Sequence, residues 1–330
     1  MAIYHDIRNT VKAVALSFER PVPSLGLDYF ERHSAPKLPD TGLKLRPDIH
    51  NALGTADVSL ADPDTGPLVG YDYREDSAWI ARQLFFTRLG SPRRLLSQSA
   101  KTVKSLDVGV LDVVLYLSPA DEAGLGTLCP WSTAECRAMC LRTSGRMGMD
   151  APTRARLLRT LALALFPRLF LRRLRRELDL AATEARRKGL TLAVRLDGTS
   201  DLGLAEFLAP LSPVSWRWYD YTKSQRRAYL SSDRVHLTLS SPSPLVTSVF
   251  GVGEDMAAEH PNLAVVVPKL ADVEAIMAGK RPSWWPEGYK PVDGDEHDAR
   301  YLDPPGSVVL LKAKGDARGK AVGEFIHPME

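Results

Sequence analysis

A chain of 330 residues, 44% hydrophobic and 25% charged, can bury a large core and lies outside the compositions of disordered, fibrous and collagen-like proteins. Its net charge of +3 is too small to mark a nucleic-acid binder by itself, and no apolar run reaches the roughly 18 residues of a membrane span, so no membrane partner is expected. Three cysteines, an odd number, argue against a secreted disulfide framework. The start of the chain carries Asp6, Arg8, Lys12, Glu19 and Arg20 where a signal peptide needs a long apolar core. The expectation is a reducing cytoplasm, where clustered cysteines bind metal or do redox chemistry.

Residues 1–20 have a helical pattern, with Val11, Val14, Ala15 and Phe18 on one face. From Arg20 to about Ser77 the stretches PVPSLG, APKLPDTG and DPDTGP are turn chemistry, and residues 78–90 return to a helical pattern that stops at Gly90. This makes residues 1–91 a loop-rich N-terminal extension and leaves residues 92–330 as one α/β domain. Residues 92–105, with Arg93, Arg94, Lys101 and Lys104 among small polar residues, read as a phosphate-contacting loop or a solvated linker.

Residues 108–117 (VGVLDVVLYL) form the first strong strand, apolar enough to be buried on both faces. Residues 150–188 are helical, opened by Asp150 and Pro152, broken at Pro167 and stopped by Gly189. Arg168, Arg172, Arg173, Arg175 and Arg176 give the second half a basic face, for nucleic acid, an acidic partner or solvent. Strands then recur at 191–196, 214–221, 235–240, 263–267 and 307–314, with helices at 202–209, 223–230, 245–258 and 270–279 and a long Pro- and acid-rich loop at 281–306. Six strands alternating with helices predict an α/β fold, a partial or distorted six-strand parallel (β/α) barrel. Right-handed crossovers put every strand's C-terminal end on one face.

All three cysteines fall just after the first of these strands, in Cys129-Pro-Trp-Ser-Thr-Ala-Glu-Cys136-Arg-Ala-Met-Cys140. The spacing is C-x6-C-x3-C, and one helical turn would put Cys136 and Cys140 on one face. With no fourth cysteine and no nearby histidine, a structural zinc site lacks a local ligand. Three thiolates can hold an iron–sulfur cubane with one iron left open. Zinc with a distant ligand and unliganded core cysteines are the alternatives. The cavity at the strand ends should also receive Asp197, Asp201 and Lys223, the expected catalytic contacts.

A cysteine loop after the first strand of such a barrel resembles the radical S-adenosylmethionine enzymes. That resemblance implies a 4Fe-4S cluster and S-adenosylmethionine as cofactors. Those enzymes space their cysteines C-x3-C-x2-C, and here Asp197-Gly198-Thr199-Ser200-Asp201 stands where they carry Gly-Gly-Glu. More closely, TLCPWSTAECRAMCLRTSGRMG, VRLDGTSDL, YDYTKS and VDGDEHDARYLDPPGSVVLLKAKG resemble a phage and prophage family called gene-product-88-like, over roughly residues 92–318. This implies a mobile-element protein.

Two other constellations stand out. The run from Asp293 through Asp295, Glu296, His297 and Asp298 to Asp303 is dense enough in carboxylates to bind a divalent cation, or is a turn-rich loop with a salt bridge to Arg300. Trp216, Trp218, Tyr219 and Tyr221 on one strand, with Trp284 and Trp285 later, could stack bases or pack a core. The leading expectation is an iron–sulfur protein of radical-enzyme-like type acting on a nucleotide or nucleic acid. The alternatives are a non-catalytic nucleic-acid-binding protein with a structural metal site, and a divalent-metal-dependent nuclease using residues 293–303.

Overall fold

The structure, a computed structural model, describes residues 61–62, 66–67, 94–123, 127–165, 167–240, 260–318 and 325–329. The N-terminal extension expected over residues 1–91, its two helices, and the helix expected at 245–258 lie outside the described residues, apart from a two-residue antiparallel pair, Ala61–Asp62 with Gly66–Pro67. Among the described residues no helix is long and apolar enough to cross a membrane.

The fold is mixed α/β, built on one eight-stranded, mostly parallel sheet. The strands are β1 (Leu96–Ser97), β2 (Val110–Leu115), β3 (Thr191–Arg195), β4 (Arg217–Thr222), β5 (Val235–Ser240), β6 (Leu263–Val267), β7 (Lys290–Asp293) and β8 (Ser307–Lys312), in the sheet order β1-β2-β3-β4-β5-β6-β8-β7. All neighbours run parallel except β1, which is antiparallel to β2. The six expected strands are therefore present and stand in chain order.

The expected partial six-strand barrel is corrected in number, to eight strands, and among the described residues the sheet is not closed. β1 and β7 add two edges, and these are not joined to each other. Antiparallel β1 is only two residues long, so it cannot offer a parallel ladder to a closing strand. The stretch read as a phosphate loop or linker instead folds as β1 and helix α1 (Ala100–Lys104). Ser99 and Thr102 cap α1 reciprocally, Thr102 N donating to Ser99 Oγ at 3.2 Å and Ser99 N to Thr102 Oγ1 at 2.6 Å.

The two faces of the sheet differ in chemistry. Outward-pointing Leu111, Val113, Leu192 and Val194 pack under a long helix and are almost completely buried. The helical stretch does divide at Pro167, into α3 (Asp150–Leu165) and α4 (Pro167–Lys188), because proline cannot continue the hydrogen-bond ladder. α4 inserts Phe170, Leu171, Leu174 and Leu178 into this core, each contributing roughly 1.5–3 kcal/mol. Its arginines face outward as i,i+4 pairs, Arg173 with Glu177 and Arg175 with Asp179, both at 3.1 Å.

The inner face is polar. Asp112, Arg195, Tyr219, Tyr221, His236 and Thr238 alternate with the outward apolar residues of β2 to β5. The loop after β7 is drawn across it. Asp298 meets Lys101 at 2.9 Å and Arg195 at 3.1 Å, and Tyr219 donates to both oxygens of Asp112 at 2.8 Å. That loop lies against the face a closed barrel would enclose.

Candidate metal centre

The cysteine loop leaves the C-terminal end of β2 and is held in place residue by residue. Ala120 sits at φ +46, in the left-handed region that costs a non-glycine residue, and its N–H donates to Cys129 Sγ at 3.3 Å. Thr133 caps helix α2 (Ala134–Ala138) by accepting from the Cys136 N–H at 3.1 Å. Cys140 lies beyond the helix, at φ −57 and ψ 141, so the expected i,i+4 pairing of Cys136 and Cys140 on one turn is corrected. Met139 ends the helix because its side chain is buried with Ala313, Ala317 and Ile326 from the far end of the chain.

All three cysteines are half-buried and act on one another electrostatically. Burial pushes each thiol up. The Ala120 N–H opposes this at Cys129, Lys223 opposes it at Cys136, and the Arg142 backbone opposes it at Cys140. As free thiols they are protonated and poor nucleophiles. Among the described residues no three His, Cys, Asp or Glu side chains gather closely enough to hold a single metal ion.

The strand ends bring two of the three expected contacts to the cysteines. Asp201 accepts from the Lys223 N–H at 3.0 Å and ion-pairs with Arg227; burial, opposed by Arg227, raises its carboxyl to about 6. Lys223 Nζ donates to Ser240 Oγ at 3.1 Å and stands 5.1 Å from the Phe325 ring. Burial pushes the Lys223 ammonium down, while Cys136, Asp201 and Cys129 hold it up. Asp197 is placed differently. Its Oδ2 accepts from Gly203 N at 2.7 Å and Leu204 N at 3.3 Å, and its Oδ1 from Ser200 Oγ at 2.7 Å. It caps helix α5 (Leu204–Leu208), a task the sequence suggests for Thr199, Ser200 or Asp201. Gly198 is required beside it, since a Cβ there would lie 2.6 Å from Val114 Cγ1 and 2.9 Å from Leu115 O.

The chain matches the gene product 88 family over residues 93–324. It belongs to that family. No curated protein and no solved structure gives a match. The matched region contains every described element of the large sheet, together with all three cysteines.

In this family member several site residues carry no signal in the sequence. Arg227, 3% exposed, joins Asp201 to Glu206 at 2.7 Å and lies 5.5 Å from the ring of Trp131 in the cysteine loop. The segment 325–329 docks beside the same loop. Phe325 N donates to Glu135 Oε2 at 3.1 Å, and Ile326 pairs with Val266 of β6. β5 pairs with β6 only at Leu239–Leu263 and Ser240–Ala264, which leaves that edge open above them. The apolar start of Phe325-Ile326-His327 was the one available hint of docking.

The remaining constellations serve the fold. Asp293 accepts from Asp295 N at 2.8 Å, Asp295 pairs with Lys314 at 2.8 Å, Asp298 with Lys101 and Arg195, and Asp303 with Arg300 at 3.3 Å. Asp293, Asp295, Asp298 and Asp303 of the acidic run are thus engaged within the chain, including the salt bridge expected to Arg300. Trp216 and Trp218 pack in the core behind the sheet, while Tyr219 and Tyr221 face inward. Trp284 donates from Nε1 to Pro328 O at 2.5 Å and anchors the chain's end.

Proposed function

We propose that the cysteine loop carries a 4Fe-4S cluster held by Cys129, Cys136 and Cys140, with one iron free of protein thiolate. The observation that carries this reading is Lys223. Its half-buried ammonium forms no salt bridge among the described residues and acts electrostatically on the thiols of Cys136 and Cys129, which burial keeps uncharged. A half-buried ammonium that no carboxylate contacts directly is costly. Three thiolates on a cluster supply a counter-charge, and their ionisation makes loading release protons. A cubane puts each thiolate on a different iron, so its cysteines need not close to the contact a single ion demands.

Such a cluster supplies one-electron chemistry at the open iron when bound. The chain's own residues would tune it. The Ala120 N–H stabilises the Cys129 thiolate, Lys223 favours the reduced, more negative state, and Asp201 holds Lys223 and Arg227 in position. We extend the reading to the sheet as part of a (β/α) barrel, and to S-adenosylmethionine as partner of the open iron. The cysteines' place after β2, at the C-terminal strand ends, supports this likeness to radical S-adenosylmethionine enzymes, while their spacing departs from it. Exposed Arg137, Arg142 and Arg146 on the cysteine loop support a nucleotide or nucleic acid as substrate. A cytoplasmic location belongs to the same proposal.

The test is anaerobic purification with iron and acid-labile sulfide analysis. Expected are a brown protein with about four of each per chain, and loss of both in Cys129→Ser, Cys136→Ser and Cys140→Ser. A colourless protein with stoichiometric zinc overturns the cluster. In a loaded protein, Lys223→Met should lower the reduction potential. An electron paramagnetic spectrum unchanged by S-adenosylmethionine removes that partner and leaves a structural cluster.

A further inference from the structure

On the inner face of the sheet, below the cysteine loop, a separate group of side chains is left without partners. Tyr221 on β4 stands opposite Thr238 on β5, and Tyr219 opposite His236, so Tyr221, His236 and Thr238 share one patch of the inner face. The turn Arg300–Leu302 packs against both strands, and the Arg300 guanidinium acts electrostatically on Tyr221 and His236. Arg300 and Thr238 are 0% exposed. Tyr221 Oη, Thr238 Oγ1, His236 Nε2 and Arg300 Nε are all buried, and none has a hydrogen-bond partner among the described residues.

A folded domain seldom leaves one such group unmet, and four meeting in one place call for a common partner. Their chemistry says which kind. Arg300 Nε can only donate, the two hydroxyls are free to donate, and the imidazole can do so in one tautomer. The carboxylates nearby are already engaged, Asp298 with Lys101 at 2.9 Å and Arg195 at 3.1 Å, and Asp303 with Arg300 Nη1 at 3.3 Å. Arg300 Nη2 is taken by His297 O at 2.6 Å. Arg195 is held by Asp220 as well, at 3.4 Å. Asp298 Oδ1 and Asp303 Oδ2 also lack hydrogen bonds but are each spent in an ion pair, so what the four donors lack is a further acceptor.

We propose that Tyr221, His236, Thr238 and Arg300 form a binding site for a small oxyanion, a carboxylate or phosphoryl group, on the inner face of the sheet. Thr238 lies two residues before Ser240, whose Oγ holds Lys223 Nζ at 3.1 Å. Two residues of strand span roughly 7 Å, so a molecule anchored here by its oxyanion extends towards the cysteines. The site stands on its own donors and does not depend on what the cysteines hold.

Isothermal titration of the full chain with inorganic phosphate, and separately with acetate, at constant ionic strength tests the proposal. One saturable site for at least one of them is expected; phosphate alone marks a phosphoryl group, acetate alone a carboxylate. Tyr221→Phe and Thr238→Val keep the side-chain shape and remove one donor each, and each should weaken binding about tenfold. Tyr221→Phe should fold as well as the parent, because the lost hydroxyl has no hydrogen-bond partner among the described residues. Saturable binding by neither anion overturns the site, and so do two folded variants that bind as tightly as the parent.

Discussion

The inner face of the sheet and the mouth above it are both built from half-buried or buried ionisable groups, and they settle their charge in different ways. Around Asp298 the chain balances itself: Lys101, Arg195 and Tyr219 converge on one carboxylate that burial alone would push up, and the two cations hold it well below the usual carboxylate range. At the mouth, Lys223 faces the neutral thiols of Cys136 and Cys129, with Asp201 near by and only the oxygens of Ser240 hydrogen-bonded to its ammonium. Charges matched inside the chain hold the fold together. A charge left unmatched points to something the chain binds. The difference teaches where to look for function, since the densest acidic stretch of the sequence turns out to be the internally balanced one.

The comparison breaks most sharply at Asp298. Asp298→Asn keeps the shape and removes the carboxylate shared by half-buried Lys101 and Arg195, Arg195 keeping Asp220 at 3.4 Å, so a loss of about 3 kcal/mol is expected. Chemical denaturation should show it as a lower midpoint at an unchanged slope. A loss below about 1 kcal/mol would mean that the inner face is not held by this carboxylate.

Next is Asp112, which burial and the nearby Asp298 raise from 3.8 to about 7. The folded chain then keeps a proton that the unfolded chain gives up, so its contribution is full below about pH 4 and is lost as the pH rises through about 7. The span is worth on the order of 4 kcal/mol. Asp298 acts in the opposite sense, stabilising above about pH 4 and failing as the pH falls. Denaturation across this range should therefore show stability declining with pH in the parent, with a visibly flatter profile in Asp112→Asn.

The smallest effect belongs at the mouth. Gly198→Ala pushes a methyl against Val114 and Leu115 O and should cost about 1–3 kcal/mol. Thermal unfolding would report it, and an unchanged midpoint would show that the end of β3 has room to move.

Much of this architecture could be read in advance. The apolar run of β2, the proline break between α3 and α4 and the gathering of all cysteines behind one strand are local patterns, fixed by chain stiffness and hydrophobic period. The edges were not legible. β1 is two residues and β7 is Lys-Pro-Val-Asp, too short and too polar to announce a strand before a neighbour offers its ladder. Asp197 and Asp201 look alike in Asp-Gly-Thr-Ser-Asp, yet one turns back to cap a helix and the other reaches Arg227 and Lys223.

The sequence by itself determined that three thiols follow the first parallel strand, because their spacing and that strand are both local. Only the tertiary structure decided what they face. Met139 is buried against Ile326, Lys223 is fixed by Ser240 and Phe325, and Asp298 of the acidic run is neutralised by Lys101 and Arg195. Each of these contacts joins residues far apart along the chain, so no local pattern encodes it. It forms only when the sheet brings the strand ends together, and that step separates a cysteine cluster from a candidate metal centre.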